Sequence, residues 1–241
     1  MNMSDCEQAP IGQITQILAW LVSSSNSNFR SIMIRRGKMK IYDISQEVFS
    51  CAVFPGDIPP ERVEIEKIEE GSVCNLTGIK MCAHNGTHVD APYHFYNDGK
   101  TIDEIAMEKF VGKCYVSFVD GDVTAIIAEE MIKKAKSADE EAAKRLLIGG
   151  DACVTIEAAK VLAENNIYLV GNESQTVGPL EGPAQVHYEL LKAEIVLLEG
   201  IRLEGIKEGV YLLNAAPINL GGADGAPCRA ILVEDIGRVN V

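Results

Sequence analysis

His84-Asn85-Gly86-Thr87-His88-Val89-Asp90-Ala91-Pro92-Tyr93-His94 holds three of the chain's four histidines, with an aspartate between the second and third. Imidazole and carboxylate are the ligand types that zinc and manganese favour. Two histidines four apart could share one face of a helix. However, Gly86, the β-branched Thr87 and Val89, and Pro92 make this stretch a poor helix. As a strand bent at Gly86, it points His88 and Asp90 to one face, because strand side chains alternate with period two. A turn at the glycine lets His84 join them. Pro92 then ends the strand and drops His94 into a loop, close to a metal but free to move protons.

The run resembles the HxGTHxDxPxH signature of the metal-dependent cyclase family, and every signature position is filled. The resemblance continues from about Met39 to the C-terminus. It implies an α/β chain of the single-domain swivelling β/β/α type, with a mixed sheet and flanking helices. It also implies a homodimer. In the formamidase-like members the second half of the chain supplies a His and, twelve residues later, a Glu to the metals. His187 and Glu199 meet that spacing, and every histidine then has a role.

Composition narrows the alternatives. The chain has 241 residues, 47% hydrophobic and 24% charged, which is ordinary for a globular protein. A net charge of −13 excludes a nucleic-acid backbone as partner. No apolar run approaches the roughly 20 residues a membrane-spanning helix needs. Cys6, Cys51, Cys74, Cys82, Cys114, Cys153 and Cys228 are scattered, odd in number and without a CxxC pair. Reduced thiols and a cytoplasmic location are therefore expected. Cys82 reads as a metal ligand or, more simply, as a small buried hydrophobe.

Residues 1–38 differ from the rest. The apolar segment Ile11 to Val22 has no basic residue before it, so no secretory signal is expected. A polar Ser/Asn tract follows at 23–28. The first 38 residues hold two acids and four bases, so the total of −13 leaves −15 for residues 39–241. Residues 1–38 are expected to be an N-terminal extension, and 39–241 the metal-dependent hydrolase domain.

Along that domain, Ile41 to Ser45, Val63 to Ile68 and Leu76 to Cys82 read as strands. Phe54-Pro55-Gly56-Asp57 is a turn, either a plain surface turn or, by resemblance, one near the active site. Thr101 to Phe110 reads as a short helix, and Cys114 to Val119 as a buried strand. Ile126 to Ala135 is an amphipathic helix. The acids of Ser137-Ala138-Asp139-Glu140 suit the start of another helix. Leu146 to Asp151 is a strand and turn, and a helix begins after Thr155 as N-cap. Ile167 to Gly171 is a buried strand, Gln185 to Leu191 a helix, and Ile195 to Glu199 a buried strand ending in a carboxylate. Gly221 to Arg229 is a glycine-rich loop before a last strand, Ala230 to Glu234. The second half alternates strand and helix, as an α/β layer does. No GxGxxG or Walker A pattern supports a nucleotide cofactor.

Five candidate ligands, His84, His88, Asp90, His187 and Glu199, exceed what one tetrahedral metal needs. Two divalent ions, Zn or Mn, with Asp90 or Glu199 bridging, fit better. Such a pair activates water and polarises an amide carbonyl. His94 is expected to be the catalytic proton carrier. By resemblance the reaction is arylformamidase-like, the hydrolysis of N-formyl-L-kynurenine to L-kynurenine and formate. Tyr93 and Phe95 are candidates for stacking the aryl group. Gly171-Asn172-Glu173-Ser174-Gln175 departs from the Gly-x-Asp-Thr-Pro common in formamidases, and the only Trp is Trp20. Two alternatives therefore stand beside this reading. One is a hydrolase of cyclic amides such as isatin, or a cyclase; the other is a non-catalytic metal-binding protein.

Overall fold

The computed structural model describes residues 39–234; the reading of residues 1–38 as an extension lies outside them. The strands are β1 (Lys40–Asp43), β2 (Glu61–Glu66), β3 (Leu76–Lys80), β4 (His88–Asp90), β5 (Val111–Phe118), β6 (Gly121–Val123) and β7 (Arg145–Gly149). They continue with β8 (Ala152–Val154), β9 (Leu169–Asn172), β10 (Val196–Glu199), β11 (Gly209–Asn214), β12 (Gly225–Pro227) and β13 (Ile231–Glu234). Three α-helices are described, α1 (Ala125–Ala138), α2 (Ile156–Ala163) and α3 (Ala184–Lys192).

Nine strands form one mixed sheet in the order β1-β13-β11-β5-β7-β9-β10-β4-β12. Its centre, β5-β7-β9-β10, is parallel, and each step from one of these strands to the next passes through a helix. Both flanks are antiparallel. This is the mixed sheet with flanking helices that the α/β reading expects.

Alternation along the central strands splits the core across the sheet's two faces. Leu146 and Ile148 of β7, Val170 of β9 and Leu197 of β10 pack with Ala128, Met131, Ile132 and Ala135 of α1 and with Leu162 and Leu190. Leu147, Leu169, Val196 and Leu198 pack instead with Val89, Phe110, Leu213 and Leu232. The helices follow their sequence signals. Thr124 caps α1 by accepting from Ile127 N, and Thr155 caps α2 by accepting from Ala158 N.

Two local expectations change. Residues 101–110 are not one helix but two 3-10 turns, Ile102–Glu104 and Met107–Lys109, with extended backbone at Ile105 and Ala106. The Thr101–Glu104 capping box starts a turn there. Burial of Ile102, Ile105 and Phe110 together then favours an extended link over a helical one. The acids at 139–140 open no α-helix. α1 runs through Ala138, and the Asp139 carboxylate accepts from Glu141 N and Ala142 N at the start of a 3-10 turn.

Arg145 opens β7 and is 2% exposed. Its guanidinium donates to the carbonyls of Glu108 and Lys113 and to the Glu141 carboxylate at 3.2 Å. It thereby ties the turn before β5, β5 itself and β7 together. Arg145→Ala strands buried carbonyls without a donor. It is expected to lower unfolding free energy by about 3 kcal/mol, read from denaturant midpoints; a loss within experimental error would remove this tie from the account.

Candidate metal centre

The site forms where the sheet changes direction. β10 runs parallel to β9 but antiparallel to β4, with Glu199 opposite His88 and Leu197 opposite Asp90. His88 and Asp90 share a face, and Val89 between them enters the core on the other side. Gly86 has φ 69°, and this bend brings His84 back beside Asp90, Nδ1 to Oδ1 at 2.8 Å. α3 buries Val186, His187, Leu190 and Leu191 against the sheet, so its only histidine faces the same corner. His88 Nε2 lies 3.4 Å from Asp90 and 3.5 Å from Glu199. His187 Nε2 lies 3.3 Å from Glu199 and 3.7 Å from Asp90. The structure thus brings His84, His88, Asp90, His187 and Glu199 to one place, from segments about a hundred residues apart.

Backbone carbonyls set two of the imidazoles. His88 Nδ1 donates to Gly86 O and His187 Nδ1 to Pro183 O, both at 3.0 Å. A carbonyl only accepts, so Nδ1 carries the proton and Nε2 faces the carboxylates as a lone pair is needed for a cation. Burial disfavours the charged form of His84, yet hydrogen bonds to Asp224 and Asp90 outweigh it and raise its pKa to about 11. His88 is raised to about 10 by Asp90 and Glu199 against the same burial. His187 is raised too, burial being outweighed by Glu199 and Asp90. Burial alone would lift Asp90, but hydrogen bonds from His84 and His88 hold it well below the usual carboxylate range.

These are the electrostatics of a centre short of positive charge. Among the described residues, the ion-pair partners of Asp90 and Glu199 are imidazoles alone. Three groups have donor atoms within 4.8 Å of one another: His84/His88/Asp90 and Asp90/His187/Glu199, which share Asp90, and His84/His94/Asp224. Buried nitrogen and carboxylate donors in two groups around one shared carboxylate fit divalent cations.

A cavity of about 210 Å³ opens over this corner, lined also by Phe54, Asp57, His94, Phe95, Gln175, Thr176 and Pro183. The Phe54–Asp57 turn therefore sits at the site. Phe95 stacks on His187 at 4.9 Å between ring centroids and meets His94 edge-on at 4.8 Å. Tyr93 is 39% exposed and is not among the lining residues. Cys82 is absent from the ligand groups.

Sequence reasoning passed over one residue that the geometry singles out. Asp224 Oδ2 lies 2.9 Å from His84 Nε2 and 3.0 Å from His94 Nδ1. Hydrogen bonds from these two imidazoles hold its carboxyl far below the ordinary carboxylate range. β12 delivers it: Gly225 pairs with Asp90, and Ala91 N donates to Asp224 O at 2.9 Å. Gly225 also leaves room for His84, since a Cβ there would stand 2.7 Å from its ring. The available signal was an acid inside the glycine-rich run 221–225, which a plain loop reading absorbed.

Comparison with known proteins agrees with this architecture. A family model described as "Putative cyclase" matches residues 31–179. The kynurenine formamidase of Salinibacter ruber is 32% identical over 210 residues, covering 80% of this chain and 97% of that one. The kynurenine formamidase of Bacillus anthracis is 32% identical over 203 residues, covering 80% and 97%. A solved structure described as a potential metal-dependent hydrolase with cyclase activity superposes with a TM-score of 0.70 at 26% identity, covering 83% of this chain and all of that one. The match takes in the whole 84–94 stretch, and the relatives align over nearly their full length; the chain belongs to the cyclase family.

Proposed function

We propose that this family member is a metal-dependent amidohydrolase of the arylformamidase type, cleaving N-formyl-L-kynurenine to L-kynurenine and formate. The observation that carries the reading is the convergence of His84, His88 and Asp90 with His187 and Glu199 beneath a cavity walled by Phe95 and Phe54. The kynurenine formamidases among its relatives support the substrate. The five residues would hold two divalent cations, zinc or manganese. When bound, such ions polarise an amide carbonyl and bring the pKa of water from 15.7 toward about 7.

The protein's own residues do the rest. Phe95, fixed between His94 and His187, offers a flat apolar wall to an aryl ring. His94 has Nδ1 engaged by Asp224, which leaves Nε2 to exchange a proton. It takes the proton from the attacking water as the C–O bond forms. It returns that proton to the nitrogen as the C–N bond breaks, so the products leave as amine and formate.

A homodimer belongs to the proposal. β2 and β3 form a separate two-stranded sheet, and their Val63, Ile65 and Ile79 are exposed together with Ile58. A lone hairpin is marginally stable in water, and apolar side chains exposed on both of its faces, Val63 and Ile65 on one and Ile79 on the other, call for cover. A second copy supplies it. Cys51, Cys74, Cys82, Cys114, Cys153 and Cys228 are free thiols, in keeping with a reducing cytoplasm.

His94→Ala is expected to lower kcat by about 10²- to 10⁴-fold with metal content by mass spectrometry unchanged; loss of metal would make His94 a ligand. Assayed side by side, N-formyl-L-kynurenine should be turned over and isatin poorly; the reverse order would assign ring opening. Ile65→Lys with Ile79→Lys should yield monomers in sedimentation, and a persistent dimer would place the interface elsewhere. In the metal-free protein, imidazoles whose folded pKa lies above the unfolded 6.5 stabilise fully below that value. This contribution is lost as pH rises toward about 10 to 11. Tm of the chelator-treated protein should therefore fall from pH 7 to pH 9, while the zinc-loaded protein stays nearly flat. Parallel curves for the two forms would contradict it.

A further inference from the structure

We infer that Asp224 is the positioning residue of His94, fixing the tautomer in which Nδ1 carries the proton and Nε2 exchanges it. The inference rests on the amidohydrolase reading for its kinetic consequence, but its geometry stands by itself. One carboxylate oxygen, Oδ2, receives both His94 Nδ1 at 3.0 Å and His84 Nε2 at 2.9 Å. The two rings stack at 4.1 Å between centroids, 30° apart, so neither can swing without disturbing the other. An ionised carboxylate accepts and cannot donate, so each ring must present N–H to it. In the neutral ring of His94 this places the lone pair on Nε2, where a general base needs it. Asp224 touches neither of the other two imidazoles, and its backbone is held independently by the β12–β4 pairing and the Ala91 N–H bond. Its side chain is thus presented at a fixed distance from His94 whatever the loop before it does. No alternative acceptor for His94 Nδ1 occurs among the described residues.

Only four histidines occur in the chain, so each ring can be assigned by ¹⁵N NMR of the full-length, zinc-loaded protein. The wild type is expected to show His94 as the Nδ1–H tautomer. Asp224→Leu, which removes the acceptor, should lose that fixed tautomer. It should lower kcat on N-formyl-L-kynurenine about 10- to 100-fold, with KM and zinc content unchanged. Asp224→Glu, which restores a carboxylate, should recover part of kcat. A wild-type His94 protonated on Nε2 overturns the inference. So does an Asp224→Leu protein that keeps the tautomer but loses zinc, since the carboxylate would then serve His84 and the cation. Absence of turnover by the wild type counts against the substrate assignment alone, and the NMR comparison still decides the role of Asp224.

Discussion

Asp90 and Glu199 are carboxylates 1% and 3% exposed, and the rest of the site answers to them. Burying an ionised carboxylate costs several kcal/mol after relaxation unless positive charge and hydrogen bonds offset it. Glu199 receives one backbone donor, Val177 N at 2.8 Å. The remaining compensation comes from three imidazoles, which supply charge only while protonated. A divalent cation supplies it with those imidazoles neutral. Metal binding and the stability of this corner of the fold are therefore one interaction seen from two sides.

Holding that corner together takes close backbone packing next to it. Gly200, just after β10, has φ 69°, and a Cβ there would overlap the side-chain amides of Gln46 and Gln175 and stand 2.5 Å from Gly86 O. Its carbonyl accepts from Thr87 Oγ1 and Gln46 Nε2, both at 2.8 Å, and Thr87 Oγ1 accepts in turn from Gln46 N at 2.9 Å. This knot locks the bend before β4 to the loop after β10. A one-residue slip between these strands would turn His88 and Asp90 away from Glu199, and the knot opposes that slip.

The parts of the site legible in the sequence are those whose chemistry is local. The His84–His94 run announces its candidate ligands through spacing, and the patterns of 185–191 and 195–199 place His187 on a helix and Glu199 at a strand tip. Asp224 was not legible. Its partners lie 130 and 140 residues away, and a three-residue strand flanked by glycines carries no pattern of its own. β6, β8 and β12 were missed for the same reason, each being three residues long. β11 was missed because its start is marked by Gly209 rather than by a helix–strand alternation. Tyr93 reads in the sequence as an aromatic able to stack an aryl group, but Pro92–His94 is a 3-10 turn, which sends successive side chains in different directions, and Phe95 lines the cavity.

The topology separates two jobs. The candidate ligands His88, Asp90, Glu199 and His187, on strands and α3, are fixed by sheet register and helix packing, neither of which tolerates drift. The cavity rim comes from loops: the turn holding Phe54 and Asp57, and the segment after β9 holding Gln175 and Thr176. The second of these leaves the carboxyl end of β9, beside β10, whose other neighbour runs the opposite way so that a crevice must open. Thr176 Oγ1 in that segment and Asn172 Oδ1 at the end of β9 are buried without a hydrogen-bond partner, as is Asn85 Nδ2 in the 84–94 stretch. The rim sequence departs at 171–175 from the Gly-x-Asp-Thr-Pro common in formamidases, while every position of the 84–94 signature on the floor is kept.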